Sequence, residues 1–111
     1  MADLFVGEFG KRLLIDLDYN VSSATGLEIH FSSSAQSFIN SASVSVLGAN
    51  TTASACDTIF SASKAVEYII NSGDFSGSVE GNYKVWIEAT FGTTAKLIST
   101  SFRFKVSQPG D

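Results

Sequence analysis

The longest regular pattern in the chain lies between Gly81 and Val106. Tyr83, Val85, Ile87, Ala89 and Phe91 alternate with Asn82, Lys84, Glu88 and Thr90. Beyond Gly92-Thr93-Thr94, Ile98, Thr100, Phe102, Phe104 and Val106 alternate with Ser99, Ser101, Arg103 and Lys105. A period of two on both sides of a glycine turn marks an antiparallel pair with one buried face. The pattern therefore predicts one long β-hairpin. Full burial of a large apolar side chain contributes about 1.5–3 kcal/mol, so this face is the strongest local source of stability and requires a second layer over it.

Shorter patterns upstream supply that layer. Leu4 to Val6 predicts an edge strand or arm, followed by a strand with Leu13, Ile15 and Leu17 on one face and Leu14, Asp16 and Asp18 on the other. Leu27, Ile29 and Phe31 alternate with Glu28, His30 and Ser32, a half-buried strand expected to pair with Leu13–Leu17. Asn20 to Thr25 and Ser32 to Gln36 read as polar loop and turn. Phe38 to Leu47 predicts a further strand with Val44 and Val46 opposite Ser43 and Ser45, and residues 48–54 predict a loop. Ala55–Phe60 and Ala65–Ile70 complete the set. Ala65 with Ile69, and Val66 with Ile70, also have helical spacing, but the β-branched and aromatic content and the shortness of the run favour strand. Gly73 to Gly77 predicts a turn, or one helical turn, that drops Phe75 into the core. Strands separated by polar turns every ~8–12 residues, about seven to eight in all, define an all-β antiparallel sandwich. One domain over residues 1–111 is expected, with residues 1–10 as an N-terminal arm and 107–111 as a frayed tail.

Composition supports a packed core: 44% of residues are hydrophobic and 16% charged, with 9 Phe, 3 Tyr and 1 Trp. The net charge of -4, with scattered basic residues, argues against nucleic acid as a partner. No apolar run approaches the ~20 residues of a membrane-spanning helix, and MADLFVGEFGKR lacks the pattern of a secretory leader, so synthesis in a cytoplasm and no membrane partner are expected. Cys56 is the only cysteine, which excludes an intramolecular disulfide within the chain. It is expected to be an inert thiol, half-buried in a strand.

The chemical inventory is thin. His30, the only histidine, sits between Glu28 and Ser32 and reads as a solvated strand residue rather than a base or ligand. No G-x-S-x-G elbow supports a serine nucleophile. Asp16 and Asp18 read as a charged face that blocks edge pairing rather than as calcium ligands. Gly7 and Gly10 lack the Lys-Ser/Thr of a phosphate loop. No catalytic residue, metal or cofactor is expected. Trp86 is the exception to the pattern: between Lys84 and Glu88 the alternation points it outward, as an interface anchor, unless a neighbouring loop folds over it or a bulge turns it inward. Phe5 and Phe9 on the arm either plug the chain's own sandwich or add a strand to a neighbour.

Gly73-Asp74-Phe75, Gly81-Asn82-Tyr83 opening a strand, and the closing Phe102-Arg103-Phe104-Lys105-Val106 form one set of framework residues. Val6-Gly7-Glu8 and Ala24-Thr25-Gly26-Leu27-Glu28-Ile29-His30 form another. Together they resemble the small Ig-like domains encoded in tailed-bacteriophage structural gene clusters, in look the N-terminal domains of baseplate upper proteins. The chain departs from these at Ser32 to Ser37, where they carry a Pro-Asp-Gly turn and a tryptophan. The resemblance implies an Ig-like sandwich present in many copies, made in the host cytoplasm and located in the virion, without catalytic or metal residues. It would dock onto other virion proteins as a tail or baseplate component that helps attach fibres, or alternatively as a head decoration or neck protein. A reading from another class is a carbohydrate-binding module, with Trp86 and a nearby Tyr as the stacking platform.

Overall fold

In the computed structural model, which describes residues 4–41, 43–53 and 58–109, the alternation resolves into two facing sheets and a small hairpin. The strands are β1 (Leu4–Phe5), β2 (Arg12–Asp16), β3 (Gly26–Ser32), β4 (Ser37–Asn40), β5 (Val44–Val46), β6 (Thr51–Ala53), β7 (Thr58–Phe60), β8 (Ala65–Ile69), β9 (Gly81–Phe91), β10 (Ala95–Ile98) and β11 (Phe102–Ser107). The larger sheet runs β1-β11-β9-β3-β4, with β10 sharing the β11 edge of β9; the smaller runs β2-β8-β5, and β6 pairs with β7. Among the described residues every pairing is antiparallel except β1 with β11. The all-β sandwich expected from the sequence is what forms, divided into shorter segments than the periodicity suggested.

The core lies between the two sheets. Ile29 and Phe31 of β3, Tyr83, Val85, Ile87 and Ala89 of β9, and Phe104 and Val106 of β11 meet Ile15, Val66 and Tyr68 from the smaller sheet. Phe31 is its hub: its ring centroid lies 4.8 Å from Phe38, 5.4 Å from Phe75, 5.8 Å from Tyr68, 6.1 Å from Phe104 and 6.5 Å from Tyr83. Phe75 reaches this cluster from the turn after β8, as its glycine-flanked sequence predicts, and is 1% exposed. Buried phenols keep hydrogen-bond partners, as burial demands. The Tyr83 hydroxyl donates to the Val79 carbonyl at 2.6 Å. The Tyr68 hydroxyl donates to the Asp74 carboxylate and accepts from Asn40 Nδ2 at 3.0 Å. Burial first, and the Asp74 carboxylate second, push the Tyr68 phenol well above its ordinary range.

Several expectations are corrected by the pairing. β3 pairs with β9 and β4, not with the Leu13–Leu17 strand, which lies in the other sheet against β8. Both strands present an alternating apolar face, and alternation specifies a face without specifying a neighbour. The run from Phe38 to Leu47 is not one strand: β4 belongs to the larger sheet and β5 to the smaller. Ser43 Oγ, between them, donates to Asn71 Oδ1 at 2.9 Å. The loop expected at 48–54 contains β6. Of the strand expected at Ala55–Phe60, only Thr58–Phe60 falls in β7; residues 55–57, Cys56 among them, lie outside the described residues. β2 ends at Asp16. Asp18 has φ 52° and its N–H donates to Asp16 Oδ1 at 2.9 Å, so the two carboxylates belong to a turn rather than to one strand face. Within the expected polar loop after it, Val21 is fully buried.

The long hairpin carries the most consequential correction. β10 pairs Ile98 with Glu88, whereas β11 pairs Phe102 with Val85, so residues 99–101 face only residues 86–87 across the ladder. This β-bulge reverses the alternation. Leu97, not Ile98, packs toward the core, and the inward set resumes at Phe102. Ile98 is 59% exposed. Ser99 bridges the break: its N–H donates to the Ile87 carbonyl at 2.9 Å and its Oγ accepts from the Ile87 N–H at 2.8 Å. Ser99→Ala leaves that backbone N–H without its acceptor and is expected to cost about 1–3 kcal/mol in urea unfolding; Ser99→Thr, which keeps the hydroxyl, is expected to cost less.

The N-terminal arm closes on its own sandwich. Leu4 pairs with Val106 and Phe5 with Ser107, and the Val6 N–H donates to the Ser107 carbonyl at 2.9 Å. Gly7 and Gly10, at φ 93° and 84°, then turn the chain across the end of the sandwich. Their N–H groups donate to the carbonyls of Phe75 and Ile70, each at 2.7 Å.

Candidate functional site

The period-two alternation that sends Ile29, Phe31, Val85 and Ile87 inward sends Glu28 and His30 of β3, and Trp86 and Glu88 of β9, to the outer face of the larger sheet. Register fixes their neighbours. His30 lies opposite Trp86 on one side and Ile39 of β4 on the other. Glu28 lies opposite Glu88, which lies opposite Ile98 of β10. Two adjacent cross-strand rows result, one of Ile39, His30 and Trp86, the other of Glu28, Glu88 and Ile98.

The imidazole of His30 stacks on the indole of Trp86 with ring centroids 4.9 Å apart and planes 17° from parallel. Trp86 Nε1 donates to Glu88 Oε2 at 3.2 Å, and Lys96 Nζ lies 2.7 Å from Glu88 Oε1. His30 Nε2 lies 3.2 Å from Glu88 Oε2 and 3.5 Å from Glu28 Oε1. It is screened from solvent and makes no aligned hydrogen bond with either. The His30 and Glu88 side chains are only 12% and 14% exposed, whereas Glu28 is 49% exposed and marks the open side of the group. The hydrogen bond from Lys96, and after it the one from the Trp86 indole, hold the Glu88 carboxyl below the usual carboxylate range against the opposing effect of desolvation. Glu88 in return raises the Lys96 ammonium. A depressed carboxyl favours the folded state above its ordinary pKa, and that contribution fades as pH falls through the folded value.

Trp86 faces outward, as its position between Lys84 and Glu88 predicts; no bulge turns it inward, and the flat of the His30 ring stacks on its indole. His30 is accordingly not the solvated residue expected. Phe5, on the edge strand β1, is 37% exposed, and Phe9, in the crossing between Gly7 and Gly10, is 64% exposed. β11 lies between β1 and β9, so the arm and Trp86 do not form one patch. The platform of Trp86 with a nearby Tyr does not form among the described residues. Tyr68 and Tyr83 are fully buried on the core side, and Tyr19 packs edge-on against Phe91 at 6.3 Å.

Two residues of this face escaped the sequence. Ile39 and Ile98 are each 59% exposed beside the aromatic row. Uninterrupted alternation places Ile98 inward and the bulge turns it out, while Ile39 lies in a run that divides into two strands of different sheets. Glu88, 58 residues beyond His30 in the chain, joins it through strand pairing that no local spacing announces.

Comparison with protein-family models, with curated proteins and with solved structures gives no match to this chain. Its fold and surface define an all-β sandwich whose larger sheet presents an aromatic, aliphatic and acidic outer face.

Proposed function

We propose that the chain is a non-catalytic docking module that seats the outer face of its larger sheet on another protein of a virion, present there in many copies. The observation that carries this reading is the pair Ile39 and Ile98, both 59% exposed on either side of the partly buried Trp86. Aliphatic side chains around an aromatic anchor, edged by charges such as Glu28 and Lys96, match the composition of protein interfaces, with an apolar centre and a polar rim. The strands that present them are held by a continuous core, so little ordering cost is incurred on docking. The virion as the setting comes from the framework resemblance to tailed-phage Ig-like domains. Among the places in a particle, a tail or baseplate position that helps attach fibres is preferred over a head decoration or neck position.

The test is incorporation into particles. Ile39→Lys combined with Ile98→Lys changes two exposed side chains and is expected to leave the melting temperature within a few degrees while lowering incorporation into purified virions at least about tenfold, the loss a single hot spot gives. Wild-type incorporation of the double variant would remove this face as the docking surface. Absence of the wild-type chain from purified particles would remove the virion reading.

A further inference from the structure

The outer-face cluster has a property that docking does not require. Glu28 and Glu88 sit directly opposite each other across the β3–β9 ladder, an arrangement of like charges that weakens a sheet unless something lies between them. Lys96 neutralises part of this charge through Glu88 Oε1. Oε2 of the same carboxylate, Glu28 Oε1 and His30 Nε2 converge from the other side, with one ligand atom from each residue within 4.8 Å of the others. His30 Nε2 is buried, lies 3.2 Å from Glu88 Oε2 and 3.5 Å from Glu28 Oε1, and makes no aligned hydrogen bond with either.

We infer that Glu28, His30 and Glu88 form a binding site for a first-row divalent cation such as Zn²⁺. Carboxylate oxygen and imidazole nitrogen bind Zn²⁺ at about 2.0–2.2 Å, which in a tetrahedral shell places donor atoms about 3.3–3.5 Å apart. The separations of 3.2 Å and 3.5 Å from His30 Nε2 already have this size. The remaining adjustment falls on Glu28, whose exposed side chain has room to swing toward Glu88. Glu88 binds through Oε2 and keeps Lys96 on Oε1, while the Trp86 stack fixes the plane of the imidazole. A nitrogen donor and only three protein ligands disfavour Ca²⁺, which takes 6–8 oxygens. Three ligands leave a position for water or for a donor from another molecule on the open side, next to Glu28.

The site stands independently of the docking proposal and is tested on the isolated chain. Titrations use a Cys56→Ser background, so that the thiol cannot hold the ion. Calorimetry with Zn²⁺ is expected to show one saturable equivalent per chain. His30→Gln and Glu88→Gln should each weaken it at least about tenfold, the lower end of the loss that removing an outer partner of a metal ligand brings. Lys96→Met should tighten it, because a competing ammonium is removed. Glu67→Gln, on the smaller sheet, should leave it unchanged. Co²⁺ gives a second readout that needs no ligand variant. Bound beside the stacked indole, it should quench the fluorescence of Trp86, the only tryptophan, in parallel with the appearance of its visible absorption. Absence of saturable Zn²⁺ binding, equal affinity in the His30 and Glu88 variants, or saturation with Co²⁺ without quenching of Trp86 would each overturn the assignment.

Discussion

Phe31→Ala is expected to lower the unfolding free energy by about 3–5 kcal/mol, the range for deleting a buried aromatic ring. Of the single substitutions considered, it should have the largest effect on stability. Single domains have about 5–15 kcal/mol in total, so the variant is expected to be largely unfolded at 37 °C or to melt far below the wild type. Phe31 is 1% exposed and touches rings contributed by β4, β8, β9, β11 and the Phe75 turn. Its removal leaves a hole bordered by both sheets, and neither can collapse into it without dragging its ladder. A lone cysteine allows no intramolecular disulfide to offset the loss. Phe38→Ala, at the half-buried edge of the same cluster, should cost clearly less. Equal midpoints for the two variants in urea would show that the ring hub is not the organising contact of the core.

Asp74→Ala should cost about 2–4 kcal/mol, from hydrogen bonds to a charged acceptor that contribute about 1.5–3 kcal/mol each and do not add fully. Its Oδ2 accepts from the Tyr68 hydroxyl and, at 3.0 Å, from the Asn71 N–H. Tyr68 is fully buried, so loss of Asp74 leaves its hydroxyl proton without an acceptor inside the core. The same contact ties the turn that delivers Phe75 to β8. Removing both polar groups should cost far less than the sum of the separate losses: Tyr68→Phe in the Asp74→Ala background is expected to be nearly neutral, because the group left unpaired has gone. Additive losses in this double-mutant cycle would mean that the two side chains do not act together.

Particular strands show where sequence reading succeeds and where it stops. β9 was legible from its first residue to its last, because a single strand with one buried face prints its orientation directly in its alternation. β8 was legible as strand rather than helix because Val66, Tyr68 and Ile69 favour a pleated surface. Phe75 was legible as a core residue because it is the one large apolar side chain in a glycine-bounded turn. The bulge at residues 99–101 was not, since Ser99 to Ser101 are equally compatible with uninterrupted alternation. One inserted residue reverses the face of everything on one side of it, which turns Ile98 outward and Leu97 inward.

The outer face was legible only in part. Trp86 stood out because a large aromatic at a polar position contradicts its surroundings. His30 did not, because the features that give it meaning, the indole beneath it and the second carboxylate beside it, come from β9 through pairing.

The amino-acid order by itself determined that this chain is an all-β sandwich, that β8 is strand, which residues of β3 and β9 face inward, and that Trp86 lies outside the core. Those properties follow from periodicity and burial, which are local and repeat along a strand. Only the tertiary structure decided which strands are neighbours, where the ladder slips, and that Glu28, His30, Trp86, Glu88 and Lys96 share one surface. Pairing partners are selected by the combined packing of distant strands, and alternation is indifferent to which of several equally patterned strands lies alongside.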